Sequence, residues 1–262
     1  MDLNLKDKVV IVTGGGGAIG SAIAMSFAKE GAKVVVTGRT IGTLQKVVDD
    51  IKAIGGEASA VICDVGNKES AENLIKETVA IYGAVDVLIN NAGINGSSEF
   101  RQKTHDYNDD LWDRIMACDL NGVYYCSKYA IRQMLAQGTK CNIINISSIA
   151  GVQPLRLQVA FTAAKAGVIN MSKAMALEYA QDNIRVNVIC PGSIMFEGTR
   201  KLFYANAETA EKMMAAIPMH HPGEPEDIGG AACFLASETA AGYITGAVQI
   251  IDGGWTSSIR TF

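Results

Sequence analysis

Short β-branched runs alternate with longer helical stretches along this chain. Val9–Thr13 reads as a buried strand, and 18–30 as a helix stopped by Gly31. Residues 33–37 predict a second strand, followed by a helix that ends near Ile54, ahead of Gly55 and Gly56. Further strands are expected at 58–63, 85–90, 142–147, 184–190 and Val248–Ile251, with helices at Lys68–Tyr82 and 160–180. These strands are apolar throughout instead of alternating, which implies burial on both faces and a parallel sheet with helices on each side. The expected class is α/β: a doubly wound parallel sheet in a single Rossmann-like domain spanning 1–262. Residues 192–222 predict one extended irregular stretch, rich in Met and aromatics, with a lid over a ligand cleft at about 193–222.

Composition narrows the function classes. With 262 residues, 48% apolar and 19% charged, the chain has material for a sizeable core and is not a disordered tail. Its net charge of -4 comes with no block of like charges, so neither a nucleic-acid partner nor a membrane surface is expected. The longest uncharged stretch, between Lys140 and Arg156, is broken by Asn142, Asn145, Ser147, Ser148 and Pro154, too short and polar to span a bilayer. Asp2 and Asp7 stand where a signal peptide would need a positive end. The 6 cysteines form no CxxC pair and sit mostly in apolar runs, the usage of reduced core thiols in a cytoplasmic protein. His220 and His221 are adjacent and cannot share one helix face, so no metal site is expected.

The first strand runs directly into Thr13-Gly14-Gly15-Gly16-Gly17-Ala18-Ile19-Gly20. Gly15, Gly17 and Gly20 satisfy G-x-G-x-x-G, although four consecutive glycines allow more than one register. A strand before and a helix after give the motif its weight: backbone can approach a pyrophosphate closely, and the helix start offers N–H groups and a positive dipole. An NAD-selective site places an acid near the end of the second strand. Here Thr37-Gly38-Arg39-Thr40 has no carboxylate, and the Arg39 guanidinium could receive a 2′-phosphate. NADP(H) is therefore the expected cofactor, with NAD(H) as the alternative.

Beyond the fourth strand the residues resemble the short-chain dehydrogenase/reductase family, and the resemblance covers essentially the whole chain. Its landmarks are the Thr13–Gly20 loop, Asp64, Asn90-Asn91-Ala92-Gly93, Asn121, Ser148, Lys165 and Pro191-Gly192, closest in flavour to the 3-oxoacyl-carrier-protein reductase-like branch. The resemblance implies cofactor contacts from Gly14, Gly16, Gly17, Ile19, Gly20, Arg39, Asp64, Val65, Asn91, Ala92, Gly93, Lys165, Pro191, Gly192 and Ile194. Phe196 replaces a usual Thr, which puts one contact to the cofactor amide in doubt. In that family an Asn-Ser-Tyr-Lys group does the chemistry. Tyrosine moves the alcohol proton, lysine lowers its pKa, serine orients the carbonyl, and asparagine fixes a water linked to lysine. Asn121, Ser148 and Lys165 match. The tyrosine position, four residues before the lysine on the same helix face, is Phe161.

Phenylalanine keeps the ring but has no proton to move, and losing a positioned acid/base costs about 10²–10⁴ in rate. Three explanations fit: a deliberate Tyr→Phe variant, a natural relative with another donor, or a binding protein that no longer catalyses. Tyr124 and Lys128 share the Y-x-x-x-K spacing but lack a strand-end serine upstream, where Leu111 stands, so the pair reads as a decoy. Ser148 is favoured over Ser147 because alternation turns only one of the two toward the cofactor. The expected activity is NADP(H)-dependent hydride exchange with a small-molecule secondary alcohol or ketone, lowered by Phe161. A silent dinucleotide-binding scaffold or an NAD-dependent dehydrogenase are the alternatives. Met195, Phe196, Phe203, Tyr204, Met213, Met214 and Met219 suit a steroid-like or acyl substrate, while Arg101 to Asp110 and Arg200 suit a polyol or sugar acid equally well. The resemblance also implies a homotetramer built through the helices around Asn121 to Met134 and 160–180 and the C-terminal strand.

Overall fold

The computed structural model describes residues 2–94 and 101–258. The apolar runs form seven strands: β1 (Val9–Thr13), β2 (Lys33–Gly38), β3 (Glu57–Ile62), β4 (Val87–Asn90), β5 (Cys141–Ile146), β6 (Ile184–Pro191) and β7 (Val248–Ile251). They pair in the order β3-β2-β1-β4-β5-β6-β7. Every pairing is parallel; Ile11, for example, stands beside Val35 on one side and Leu88 on the other. Along β1, Val10 and Val12 enter one core with Ile23, Phe27 and Ile228, whereas Ile11 enters the opposite core with Leu74, Leu88 and Met134. Both faces are therefore buried, which is why the strand reads as an unbroken apolar run.

Helices α1 (Ala18–Lys29), α2 (Ile41–Ala53), α3 (Lys68–Tyr82), α4 (Asp109–Ile115), α5 (Gly122–Gln137) and α6 (Val159–Tyr179) follow in chain order. Strand limits match expectation to within about a residue except at β4, which begins at Val87 and not at Val85. The backbone of Val85 is taken instead by Gln137, whose Oε1 accepts from the Val85 N–H at 2.8 Å and whose amide donates to its carbonyl at 3.2 Å.

The segment expected to be irregular is largely helical. It contains a one-turn α7 (Glu197–Thr199), a π turn at Arg200–Tyr204 and α8 (Ala207–Ala216). Asn206 starts α8 by accepting from the N–H groups of Glu208 and Thr209. The segment is closed on itself just beyond β6 by a 2.8 Å hydrogen bond between the Ser193 and Tyr204 hydroxyls. Helix α9 (Pro225–Ala236) then packs against α1 at Gly229, where a side chain would collide with Ser26. No described helix is long and apolar enough to cross a membrane.

Candidate active site

The carboxyl ends of β1, β4, β5 and β6 carry the site. At the end of β1, Gly14 turns with φ +64, and a Cβ there would lie 2.9 Å from the Ala92 backbone. A Cβ on Gly16 would meet Thr43 Oγ1 at 2.6 Å, and one on Gly20 would strike the Gly14 carbonyl oxygen. Asn91 clamps the turn: its side-chain amide donates to Thr13 O at 2.9 Å and Gly14 O at 3.3 Å, while its N–H donates to Thr13 Oγ1. Gly17 is the N-cap of α1 and supplies no side-chain acceptor. No N-cap side chain therefore offsets the positive end of this helix.

Two cavities flank this loop and share Gly93 and Ile94 as a common wall. The first, about 340 Å³, is lined by Gly14, Arg39, Asp64, Val65 and Ala92. Asp64 Oδ1 accepts from the Gly66 N–H at 3.0 Å, which fixes its carboxylate at the rim. Arg114, from α4, lines the same cavity opposite the glycine loop and gives it a second guanidinium.

The second cavity, about 260 Å³, is lined by Ile19, Asn91, Ser148, Phe161, Lys165, Pro191 and Gly192. Strand β5 ends here. The Ser147 hydroxyl turns away and donates to the Lys165 carbonyl at 2.8 Å, whereas Ser148 Oγ accepts from the Ala150 N–H and keeps its proton free to give. Lys165 is buried, one helical turn beyond Phe161, with its ammonium 5.6 Å from the ring centre. It donates to Ile146 O at 3.2 Å and stands 3.3 Å from Asp119 Oδ2.

Asp119, not Asn121, is the polar group beside the lysine. Residues Met116–Asn121 form a π turn between α4 and α5. This turn carries Asp119 inward to complete burial and leaves Asn121 exposed, off both cavity walls. The Ile94 N–H donates to Asp119 Oδ1 at 2.8 Å. Gly93 leaves room for the pair, since a Cβ there would lie 2.8 Å from Asp119 Oδ2. Burial pushes the Asp119 carboxyl above the usual carboxylate range, with Lys165 pulling the other way.

Ile194 is buried beneath the lid segment and lines neither cavity; its carbonyl accepts from Thr199 Oγ1 at 2.6 Å. Tyr124 is exposed on α5 with Lys128 5.8 Å over its ring, away from Ser148 and Lys165. No group of metal-ligating side chains occurs among the described residues.

A family model described as enoyl-(acyl carrier protein) reductase matches residues 16–256. The chain belongs to the short-chain dehydrogenase/reductase family. It is 39% identical over 252 residues to a 3-oxoacyl-[acyl-carrier-protein] reductase of Synechocystis, covering 95% of this chain and 97% of the relative. A Beutenbergia cavernae protein named as an NAD(P)-dependent gluconate 5-dehydrogenase, solved with NADP at low occupancy, superposes with a TM-score of 0.90 at 36% identity, covering 98% of this chain and 100% of that one. An Agrobacterium tumefaciens protein named as a 2-deoxy-D-gluconate 3-dehydrogenase, solved with bound NADP, gives 0.89 at 32% identity, covering 98% and 99%.

Within this short-chain dehydrogenase/reductase, two charged residues escaped the sequence reading. Arg114 and Asp119 are both brought in by the α4–α5 corner, and Asp119 shares its segment with the better-matched Asn121. The available signal was an acid in an otherwise apolar stretch, Met116 to Leu120.

Proposed function

We propose that this protein is an oxidoreductase that uses NAD(P)(H), with NADP(H) preferred, to interconvert a small-molecule secondary alcohol and its ketone. The observation that carries the reading is that two cavities meet at Gly93 and Ile94, one lined by Gly14, Arg39 and Asp64 and the other by Ser148 and Lys165. The residues fit a dinucleotide: only glycine lets the loop close this tightly, since a side chain on Gly14, Gly16 or Gly20 would strike Ala92, Thr43 or the Gly14 carbonyl, and the N-cap of α1 has no side-chain acceptor. Arg39 and Arg114 put two guanidinium groups on the adenosine side, the chemistry of a 2′-phosphate site.

A bound nicotinamide supplies or accepts the hydride. The protein does the rest. Ser148 donates a hydrogen bond to the substrate oxygen and polarises it. Lys165, held by Asp119 and the Ile146 carbonyl, keeps its ammonium on the cavity wall as a fixed hydrogen-bond donor. Phe161 forms an apolar wall and gives no proton, so turnover falls by about 10²–10⁴ relative to a site with a positioned acid/base. The missing hydroxyl equally favours a second reading, a dinucleotide-binding protein without turnover.

Calorimetric titration with NADPH and NADH tests the first claim. Heat with NADPH and weaker heat with NADH is expected, and Arg39→Ala should weaken NADPH selectively. Absence of heat with either nucleotide would overturn the reading. The large apolar side chains exposed on α5 and α6, Tyr124, Leu135 and Leu177, support assembly as a homotetramer, checked by light scattering.

A further inference from the structure

The substrate end of the second cavity holds a positive charge that no described carboxylate neutralises. Arg101 lines this cavity, half-buried, with its guanidinium carbon 4.8 Å above the Phe203 ring. It has no carboxylate partner among the described residues. Asp119 is the only acid on the cavity wall among those residues, and it is committed to Lys165. Among the described residues the cavity wall therefore carries about one positive charge, that of Arg101, once that pair is set aside.

Stacking on an aromatic face fixes the plane of a guanidinium while leaving its N–H edge free to fork onto two oxygens. The rest of the wall is mixed: Ile149, Leu155, Phe196 and Leu202 are apolar, and Ser148, Gln158, Ser193 and Thr199 are polar. Thr199, which could have met a substrate hydroxyl, already donates to the Ile194 carbonyl and accepts from the Phe196 N–H. Ser193 is likewise engaged with the Tyr204 hydroxyl, so a polyol would find few open partners beyond Ser148, and each hydroxyl left unpaired costs about 1–3 kcal/mol. An apolar body with one anionic end meets the wall and the charge together.

We propose that the substrate is an amphipathic anion, its carboxylate or phosphate held by Arg101 on a Phe203 platform. This rests on the dinucleotide reading above and names the substrate class of that site. Arg101 is then the specificity-determining residue, and Phe203 holds it in place from the lid.

The test is calorimetry on the protein saturated with NADP+, using hexanoate, hexyl phosphate and the neutral isostere hexanamide as probes. At least one anion should bind about tenfold or more tightly than hexanamide, and the stronger of the two identifies the headgroup. Arg101→Gln should remove the preference while leaving NADP+ affinity unchanged, which also shows that the fold is intact. Arg101→Lys, which keeps charge but not the fork, should retain part of it, and Phe203→Leu should reduce it about two- to fivefold. Equal binding of all three probes, binding of none, or a preference that survives Arg101→Gln overturns the proposal. If NADP+ itself gives no heat, the dinucleotide reading fails, and the same comparison on the free protein still decides the anion site.

Discussion

Asp119 Oδ2 stands 3.3 Å from Lys165 Nζ, and the two side chains are 0% and 6% exposed. A buried lysine needs a counter-charge, and this one has it from a residue that the sequence pairs with nothing. Breaking such a pair from one side leaves an uncompensated charge and typically costs about 3–5 kcal/mol, whereas replacing both ends by apolar groups is often near neutral. Asp119→Ala should therefore lower stability by about that amount in a denaturant melt. The double variant Asp119→Leu with Lys165→Met should recover most of the loss. Equal loss in single and double variants would show that the pair is uncoupled.

The same carboxyl gives a pH signature. Burial raises its pKa in the folded state, so the folded protein keeps this proton at pH values where the unfolded chain has released it. Its contribution to stability is full below the ordinary carboxylate range and declines as pH rises through the folded pKa. The stability difference between the wild-type protein and Asp119→Asn should accordingly become less favourable to the wild type as pH rises from about 4 toward neutrality. A difference that grows with pH would reverse the assignment.

Introducing a hydroxyl at residue 161 should supply a group for proton transfer. Phe161→Tyr should raise turnover of NADPH with a panel of ketones and 3-oxo esters at least about 100-fold. Lys165 acts on that phenol less strongly while Asp119 compensates its charge. Adding Asp119→Asn should shift the phenol limb of the pH–rate profile down by about one unit. No gain from Phe161→Tyr would favour the non-catalytic reading.

Gly20→Ala places a methyl group against the Gly14 carbonyl oxygen, which cannot retreat because Asn91 holds it. Expected are a loss of about 1–3 kcal/mol in stability and a weaker NADPH isotherm. Gly42→Ala, which meets nothing within 4 Å, serves as the control.

Burial sets the thiols. It pushes Cys118 and Cys233 to about 12 and Cys190 to about 11, with Asp119 adding to the rise at Cys118. The thiolate is the reactive form, so a disulfide exchange reagent at pH 8 should label these three only after denaturation. Stability should fall as pH climbs past about 9, because the unfolded thiols ionise while the folded ones stay protonated.

The parallel sheet was legible because strands buried on both faces leave a contiguous apolar signature, as at Val9–Thr13 and Ile184–Pro191. The Phe161–Lys165 relation was legible because it lies within one regular helix. The choice between Asp119 and Asn121 was not. A π turn advances the chain by a different angle from the α-helix around it, so helical phase carried from Leu111 cannot tell which residue turns inward. The lid helix was missed for another reason: Asn206 and the residues after it carry a cap signal, but the preceding Gly198 and the π turn at Arg200–Tyr204 break the periodicity that leads to it. Arg114 becomes a cavity residue only through long-range packing of α4, which no local pattern records.

Because all seven strands run the same way, the chain's return turns gather on the rim opposite the nucleotide loop. Three of them, at Gly55, Gly83 and Gly138, have left-handed backbones and open space around them. That rim is a natural point for attaching a dye or a tether, since cargo hung there leaves the mouth of the cleft unobstructed.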